Sequence, residues 1–185
     1  EAEKEIDYVD EKESKFEKAK ATIQGMLLSG DNAFLDKDKN LTLDTNILGI
    51  SPNGWEIKAS ELKYNKETQE LVSVKPMYAK NAEKGVEVLA NKFKTTISMD
   101  NITLEDGVII KNKLFSILAD KANYNNSSKI ITLEGNIRLS NRIGEVGDIN
   151  TLKDVKDVQD NSASKAEKEM SGTFSKVYFN LDERN

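Results

Sequence analysis

Apolar and polar residues alternate with a period of two through most of this chain, and the pattern predicts β-strands. The segments between the alternating runs, such as residues 51–54, 65–68 and 125–128, are rich in Asn, Gly, Pro and Ser. Short strands at such close spacing favour an all-β sandwich, jelly roll or open roll. The predicted strands are 22–28, 40–45, 55–64, 71–76, 86–89, 93–99, 101–110, 114–124, 130–139 and 173–181.

One strand, turn and strand pattern occurs twice, sixty residues apart. Such a repeat predicts a sheet assembled from copies of one hairpin, with a long continuous apolar face. The spacing between copies is irregular, so a meandering antiparallel sheet fits better than a solenoid. Trp55, Ile57, Ala59 and Tyr64 of the first copy correspond to Phe115, Ile117, Ala119 and Tyr124 of the second, and Leu71 and Ser73 correspond to Ile131 and Leu133.

The apolar face of these strands includes several small residues. In residues 130–139 the positions of Ile131, Leu133, Ile137 and Leu139 alternate with polar positions. Small residues on or near the same face predict two layers that do not close everywhere, so that a groove remains. Such a groove suits acyl chains, because each buried methylene contributes roughly 0.8 kcal/mol. An ordinary closed sandwich core is the alternative. The small residues are Ala59, Ala90, Ala119 and Gly135.

The two ends of the chain are more polar than its middle. Residues 1–21 are crowded with Glu and Lys and predict a charged stem, either disordered or a frayed helix. Residues 22–185 are then a single β domain with a polar loop near 157–169. Residues 149–155 fit a strand, although their apolar positions three apart also fit one stripe of a helix.

Charge and composition exclude several functions. With 27 basic against 32 acidic residues and a net charge of −5, the chain of 185 residues is not expected to bind nucleic acid. Cysteine and histidine are absent from the sequence, so disulfides, thiolate metal sites and the commonest general base are excluded. We expect no catalytic residue, no metal and no cofactor. An enzyme acting on carbohydrate would need two facing carboxylates.

Residues 36–40 place three oxygen-bearing side chains alternately, as Asp36, Asp38 and Asn40. A calcium-binding EF-hand loop needs Gly at its sixth position and Glu at its twelfth, where this chain has Leu41 and Ile47. The segment is therefore interpreted as a solvated hairpin turn.

The second copy of the repeat resembles the signature of a known family. Residues 118–124, Leu-Ala-Asp-Lys-Ala-Asn-Tyr, and 131–139, Ile-Thr-Leu-Glu-Gly-Asn-Ile-Arg-Leu, resemble the repeat of the OstA-like proteins of lipopolysaccharide transport. That group includes LptC, LptA and the periplasmic part of LptD. Residues 54–64 resemble the first copy as it occurs in LptC, and residues 170–174 are similar to the closing strand. The charged stem also favours the LptC family, with LptA as the nearest alternative.

The resemblance implies a twisted antiparallel β-jelly roll, with two facing sheets and an apolar interior groove. It implies a periplasmic protein anchored to the inner membrane by a helix that would precede Glu1. Such a protein accepts lipopolysaccharide from the inner-membrane ABC transporter of the Lpt system and passes it to LptA. The jelly rolls would join by edge-strand addition, and self-association through the same edges is possible. A closed β-sandwich acting as a surface or assembly scaffold, without lipid, is the alternative.

The residues expected to carry these functions fall into three sets. The interior, lipid-binding face comprises Trp55, Ile57, Ala59, Phe93, Ile97, Met99, Phe115, Ile117, Ala119, Ile131, Leu133, Ile137 and Leu139. The partner-edge strands carry Ile23, Met26 and Leu28 at the transporter end, and Phe174, Val177 and Phe179 at the LptA end. At the groove rim, lysines and one arginine are expected to offset the phosphates of the lipid, namely Lys58, Lys63, Lys121 and Arg138.

Overall fold

Every regular element in the described part of the chain is a β-strand. The computed structural model describes residues 4–7, 14–112, 116–140, 169–171 and 176–180. Within these ranges no helix is long and apolar enough to cross a membrane. The strands are β1 (Lys4–Asp7), β2 (Ser14–Ile23), β3 (Met26–Leu35), β4 (Leu41–Ile50), β5 (Trp55–Asn65), β6 (Glu70–Ser73), β7 (Met77–Asn81), β8 (Val86–Thr96), β9 (Asn101–Lys111), β10 (Ser116–Ala119), β11 (Lys121–Asn125), β12 (Ile130–Glu134), β13 (Arg138–Ser140), β14 (Glu169–Ser171) and β15 (Lys176–Asn180).

All the pairings between these strands are antiparallel, and the long strands each serve two layers. The first half of β5 pairs with β7 and its second half with β6, and β8 pairs with the same two strands in the same way. Likewise β9 pairs with β10 through one half and with β11 through the other. The first layer therefore contains β7, β10, β13 and β14, and the second contains β1, β6, β11, β12 and β15. Strands β2, β3, β4, β5, β8 and β9 run through both layers.

Irregularities in the long strands lie where each strand passes from one layer to the other. The register shifts in the β3–β4, β4–β5 and β8–β9 pairs all fall at this point. An extra residue in a strand bends it and increases its twist, which turns a single sheet into two facing layers. We call the line along which the strands pass between the layers the bulge line. It includes Asp120 and five residues with positive φ, namely Lys18, Thr45, Asn46, Asp106 and Gly107.

Asp120 and Gly135 of the second copy lie where the chain passes between the two layers. The Asp120 N–H donates to the carbonyls of Glu134 and Gly135, at 3.2 and 3.3 Å, and its own carbonyl accepts from the Gly107 N–H at 3.1 Å. Gly135 has φ +69° and lies so close to Asp120 that a Cβ there would clash with the carboxylate. A glycine is therefore required at position 135, where the chain passes Asp120 between the layers. The prediction that Gly135 keeps the groove open is wrong.

One apolar core lies between the two layers, as expected from the alternation. The alanines at 59, 90 and 119 belong to a single cross-strand row in the first layer, beside the bulge line, and are 0–6% exposed. Small side chains at this row let the two layers converge where the strands bend. They fill the narrow side of the interior, which corrects the prediction that they leave a groove.

A smaller apolar cluster lies on the outward positions of the first layer. It consists of Leu89, Ile109 and Leu118, which are cross-strand neighbours, with Tyr78 packed against them. Burial, followed by the adjacent Glu87 carboxylate, raises the pKa of the Tyr78 phenol to about 12. The strands β8, β9 and β10 are consequently apolar on both faces over this short stretch.

The predicted stem of residues 1–21 differs most from the structure, which has β1 and most of β2 in that range. Phe16, Ala19, Ala21 and Ile23 are apolar, and the change of phase between the first two is absorbed by Lys18, whose φ is 48°. A sequence that breaks its alternation at a bulge lacks a clear strand period, which explains the missed strand. The predictions for residues 149–155 and 157–168 lie outside the described residues.

Candidate functional site

The predicted interior residues lie together in the single core cluster wherever the structure describes them. In the first layer these are Trp55, Ile57, Ala59, Ile117, Ala119 and Leu139, and in the second they are Phe93, Ile131 and Leu133. Ile97 and Met99 follow β8, and Ile137 lies between β12 and β13. All are buried except Leu139, which is partly exposed. Phe115 is outside the described residues.

The middle of the interior is almost filled by these side chains. A cavity of about 40 Å³ remains, lined from the first layer by residues such as Trp55 and Val88, and from the second by Phe93 and Ile131. Roughly 10–15 Å³ of such volume accommodates one water molecule, so this cavity is too small for an acyl chain. Lipid could enter here only if the two layers moved apart.

In the part of the chain that the structure describes, the interior is open at the end formed by β2 and β3. A cavity of about 610 Å³ lies there between the two layers, and we call it the N-terminal cavity. Phe16, Ala21, Ile23 and Leu35 line it and are only partly buried, although they pack against the core. Its volume falls within the roughly 300–1,000 Å³ that is typical of small-molecule sites. The sequence prediction of the interior face did not include these residues, because they belong to β2 and β3.

Among the described residues, the charged side chains that line these two cavities are all lysines. Lys20, Lys39 and Lys66 lie at the N-terminal cavity, and Lys84 lies at the small central one. Lys84 follows β7 in the first layer, and its Nζ lies 5.9 Å from the ring centroid of Tyr124, which belongs to β11 in the second layer. This cation–π contact connects the two layers beside the central cavity.

The rim lysines predicted from the sequence are located elsewhere. Lys58 and Lys63 project outward from β5 and contact Glu56 and Glu61 at 3.3 and 3.6 Å, respectively. The Lys121 Nζ lies 2.7 Å from the Glu105 carboxylate, and this hydrogen bond raises the pKa of Lys121. Arg138 is exposed on β13. The prediction is wrong for these residues because the alternation of a strand directs them away from the interior. The lysines that line the cavities include turn residues, which strand alternation does not mark.

The segment from Asp36 to Asn40 closes the β3–β4 hairpin. One Asp36 carboxylate oxygen accepts the N–H groups of Asp38 and Asn40, at 2.9 and 2.8 Å, and the other accepts the Asn40 side-chain amide at 2.9 Å. The Asn40 side-chain carbonyl in turn accepts the Lys66 N–H at 3.0 Å. The turn interpretation is therefore confirmed, and Asn40 joins the two turns that carry Lys39 and Lys66. In the described ranges, no group of three or more acidic residues is arranged to hold a metal ion.

We expect the Asp36 carboxyl to titrate below the ordinary Asp value, because its hydrogen bonds from Asn40 lower its pKa. Because the pKa of Asp36 is lower in the folded than in the unfolded chain, its ionised carboxylate stabilises the turn at pH values above the unfolded pKa. This stabilisation is lost as the pH falls through the folded-state pKa. NMR titration of the side-chain carboxyl measures the midpoint. The amide proton shifts of Asp38 and Asn40 should change together with it. An Asp36→Asn variant should show no such coupled change, and a midpoint at or above 3.8 would contradict the prediction.

The ends of the sheet differ in part from the predicted partner edges. Met26 and Leu28 lie on β3, which pairs with β2 on one side and β4 on the other, and both side chains are at most 2% exposed. They are not edge residues, because the predicted strand 22–28 is a hairpin that turns at Gln24 and Gly25. Ile23 ends β2, which bounds the first layer over Ala19–Ile23. At the other end Val177 and Phe179 lie on β15, which pairs only with β12 within the described residues. Phe174 is outside them.

The two bent layers, joined by long strands around one apolar interior, define the twisted β-jelly-roll class, and the predicted fold is confirmed. Among solved structures the chain resembles LptH from Pseudomonas aeruginosa, the LptA-homologous periplasmic component of its lipopolysaccharide transport device, with a TM-score of 0.53. The match covers 65% of this chain and 95% of LptH at 13% identity, so the likeness shows a shared fold. No protein-family model and no curated protein matches the sequence.

Proposed function

We propose that this protein binds lipopolysaccharide in the interior of its jelly roll and transports it through the periplasm. The observation that carries the proposal is the N-terminal cavity, an opening of about 610 Å³ in an apolar interior whose charged lining residues are lysines. Acyl chains would be buried between the layers, at roughly 0.8 kcal/mol for each methylene. The fold shared with LptH supports the same function. The proposal involves no covalent chemistry.

Within the Lpt system we propose the role of LptC, which accepts lipid from the inner-membrane ABC transporter and passes it to LptA. The Gly54–Trp55 copy of the repeat supports this role over that of LptA. An inner-membrane anchor preceding Glu1 belongs to the same proposal. The size and position of the N-terminal cavity agree with entry of lipid at the β2 end.

Partner jelly rolls would dock on the ends of the sheet by strand addition. Over Ala21–Ile23, β2 pairs with β3 but the described residues provide no strand on its other side, so backbone groups there are available to a partner. We propose this stretch as the transporter edge, in place of Met26 and Leu28. At the other end β15 remains the proposed LptA edge, with Val177 and Phe179 on it.

One observation favours the second candidate, a closed scaffold that binds no lipid. The central cavity of about 40 Å³ shows that the layers are in contact over the middle of the interior. The two functions differ in whether these layers separate. Uptake of an apolar fluorescent dye by the delipidated protein, and its displacement by lipopolysaccharide, is expected for the transport protein. Failure of the protein to take up either molecule would favour the scaffold.

Photo-crosslinking tests the location of the lipid. A benzophenone side chain at Ile117 or Phe93, which are 3% and 2% exposed in the core, should capture lipopolysaccharide when the loaded protein is irradiated. The same group at Glu56, which lies outward on β5 between the inward Trp55 and Ile57, is the matched control and should capture at least tenfold less, because the first layer separates it from the acyl chains. Capture at Glu56 equal to that at Ile117 would contradict lipid binding in the interior.

A further inference from the structure

We infer that Lys39, Lys66 and Lys84 bind the phosphate groups of an acylated ligand whose chains occupy the interior. The inference rests on the proposed function and adds the residues that select an anionic headgroup. The recognised chemistry is a phosphate next to acyl chains, as in the lipid part of lipopolysaccharide or in a glycerophospholipid. The lysines that line the cavities and the lysines on the outer surface have different surroundings.

Six of the described lysines outside the two cavities have a carboxylate within 4 Å. Their Nζ to carboxylate distances run from 2.6 Å, for Lys94 and Glu70, to 3.7 Å, for Lys75 and Glu61. None of these six lines the N-terminal or the central cavity. Exposed pairs of this kind contribute little to stability, but they neutralise the outer surface. The lysines concerned are Lys58, Lys63, Lys75, Lys92, Lys94 and Lys121.

Three of the four described lysines that line the cavities, Lys39, Lys66 and Lys84, have different surroundings. Lys39 and Lys66 line the N-terminal cavity from neighbouring turns of the second layer, and no described carboxylate lies within ion-pair distance of either ammonium group. The bond from the Lys66 N–H to the Asn40 side chain, at 3.0 Å, fixes the two turns relative to each other. Asp36 and Asp38 share the turn of Lys39, and Glu67 and Glu83 share turns with Lys66 and Lys84, but none of these four lines either cavity. Among the described residues, an anion at the mouth therefore meets only positive charge on the cavity walls.

Lys84 adds a cation at the central cavity. Its Nζ lies over the Tyr124 ring of the opposite layer, so separation of the layers breaks this contact and leaves the ammonium without it. A phosphate beside the entering acyl chains replaces the ring with charge-assisted hydrogen bonds, which are about twice as strong as neutral ones. Phosphate binding and separation of the layers thus favour each other, because the Lys84 ammonium group exchanges the Tyr124 ring for the phosphate when the layers separate.

The test compares phosphorylated and dephosphorylated lipids. Wild-type protein should bind bis-phosphorylated lipid A at least about tenfold more tightly than the same lipid without its phosphates, because several charge-assisted bonds are lost. A K39Q/K66Q/K84Q variant should bind both forms with the affinity that the wild type has for the dephosphorylated form. All three side chains are exposed, so we expect the variant to fold, and its circular dichroism spectrum checks this.

The matched control is K58Q/K63Q/K121Q, which removes the same charge from the outer surface and should keep the preference for phosphate. Phosphatidylglycerol and diacylglycerol form a second pair of lipids, with and without a phosphate. The pair whose phosphorylated member is preferred by the wild type, but not by K39Q/K66Q/K84Q, identifies the class of lipid that supplies the phosphate. Equal binding of the two members of both pairs by the wild type would overturn the inference while the proposed function stands. A preference that persists in K39Q/K66Q/K84Q would also overturn it. Binding of no lipid at all would overturn the proposed function.

Discussion

Replacement of Leu133 by Ala is expected to lower the free energy of unfolding by about 2–5 kcal/mol. The Leu133 side chain is 0% exposed in the core and lies opposite Ala122 in the register of β11 and β12. The small neighbour cannot fill the space that the substitution leaves, so the cost includes a cavity as well as the lost apolar contact. Urea unfolding followed by circular dichroism measures the change.

Thr132→Ala is the matched control for this substitution. Thr132 is the preceding residue of the same strand, and it faces outward and is partly exposed. Loss of its hydroxyl and methyl groups should change the unfolding free energy by about 1 kcal/mol or less. If both variants lost the same stability, β12 would not be packed against the core as described.

Ala21→Trp should weaken lipid binding on the order of fiftyfold, if the indole displaces about three methylenes at 0.8 kcal/mol each. Ala21 lines the N-terminal cavity and is partly exposed, so a larger side chain has room there without overpacking the buried core. The unfolding free energy should therefore change little. Titration with a fluorescent lipopolysaccharide, beside a urea unfolding curve, separates the two effects.

Thr22→Trp provides the comparison, because Thr22 is the next residue of β2, is exposed and does not line the N-terminal cavity. The same indole at this position should leave the affinity for lipid within about twofold of wild type, as expected for a surface substitution outside the site. A similar loss of affinity in both variants would mean that the N-terminal cavity is not the entry for lipid.

Much of the fold could be predicted from the sequence because the two layers enclose one core. Each strand turns one face toward that core, so apolar and polar residues alternate along it. The first halves of β5 and β9 have a period of two, and the structure has both strands close to the predicted bounds. The N-terminal strands were harder to predict. In β3 the run of Gly30, Asp31 and Asn32 is typical of a turn, whereas in the structure it lies in the strand at the bulge line. Local composition could not separate a turn from a bend within a paired strand, because the same residues favour both.

The candidate site was predicted less completely than the fold. Ile57 and Leu133 could be predicted as interior because alternation in a strand assigns each residue to a face. Lys84 and Tyr124 are 40 positions apart in the sequence and meet only because β7 and β11 belong to opposite layers. Their contact depends on how the layers fold over each other, which no periodicity records.

The bulge line also determines what an opening of the protein would cost. Six strands pass through it, so the two layers are covalently continuous there, and their hydrogen-bond ladders run within each layer. A wider angle between the layers therefore leaves the ladders intact and breaks mainly side-chain contacts across the interior. The work of opening scales with the apolar area exposed, and in the proposed function the acyl chains of a bound lipid would cover that area again. Such a hinge would then admit lipids with different numbers of acyl chains, because its angle can widen as more chains are held.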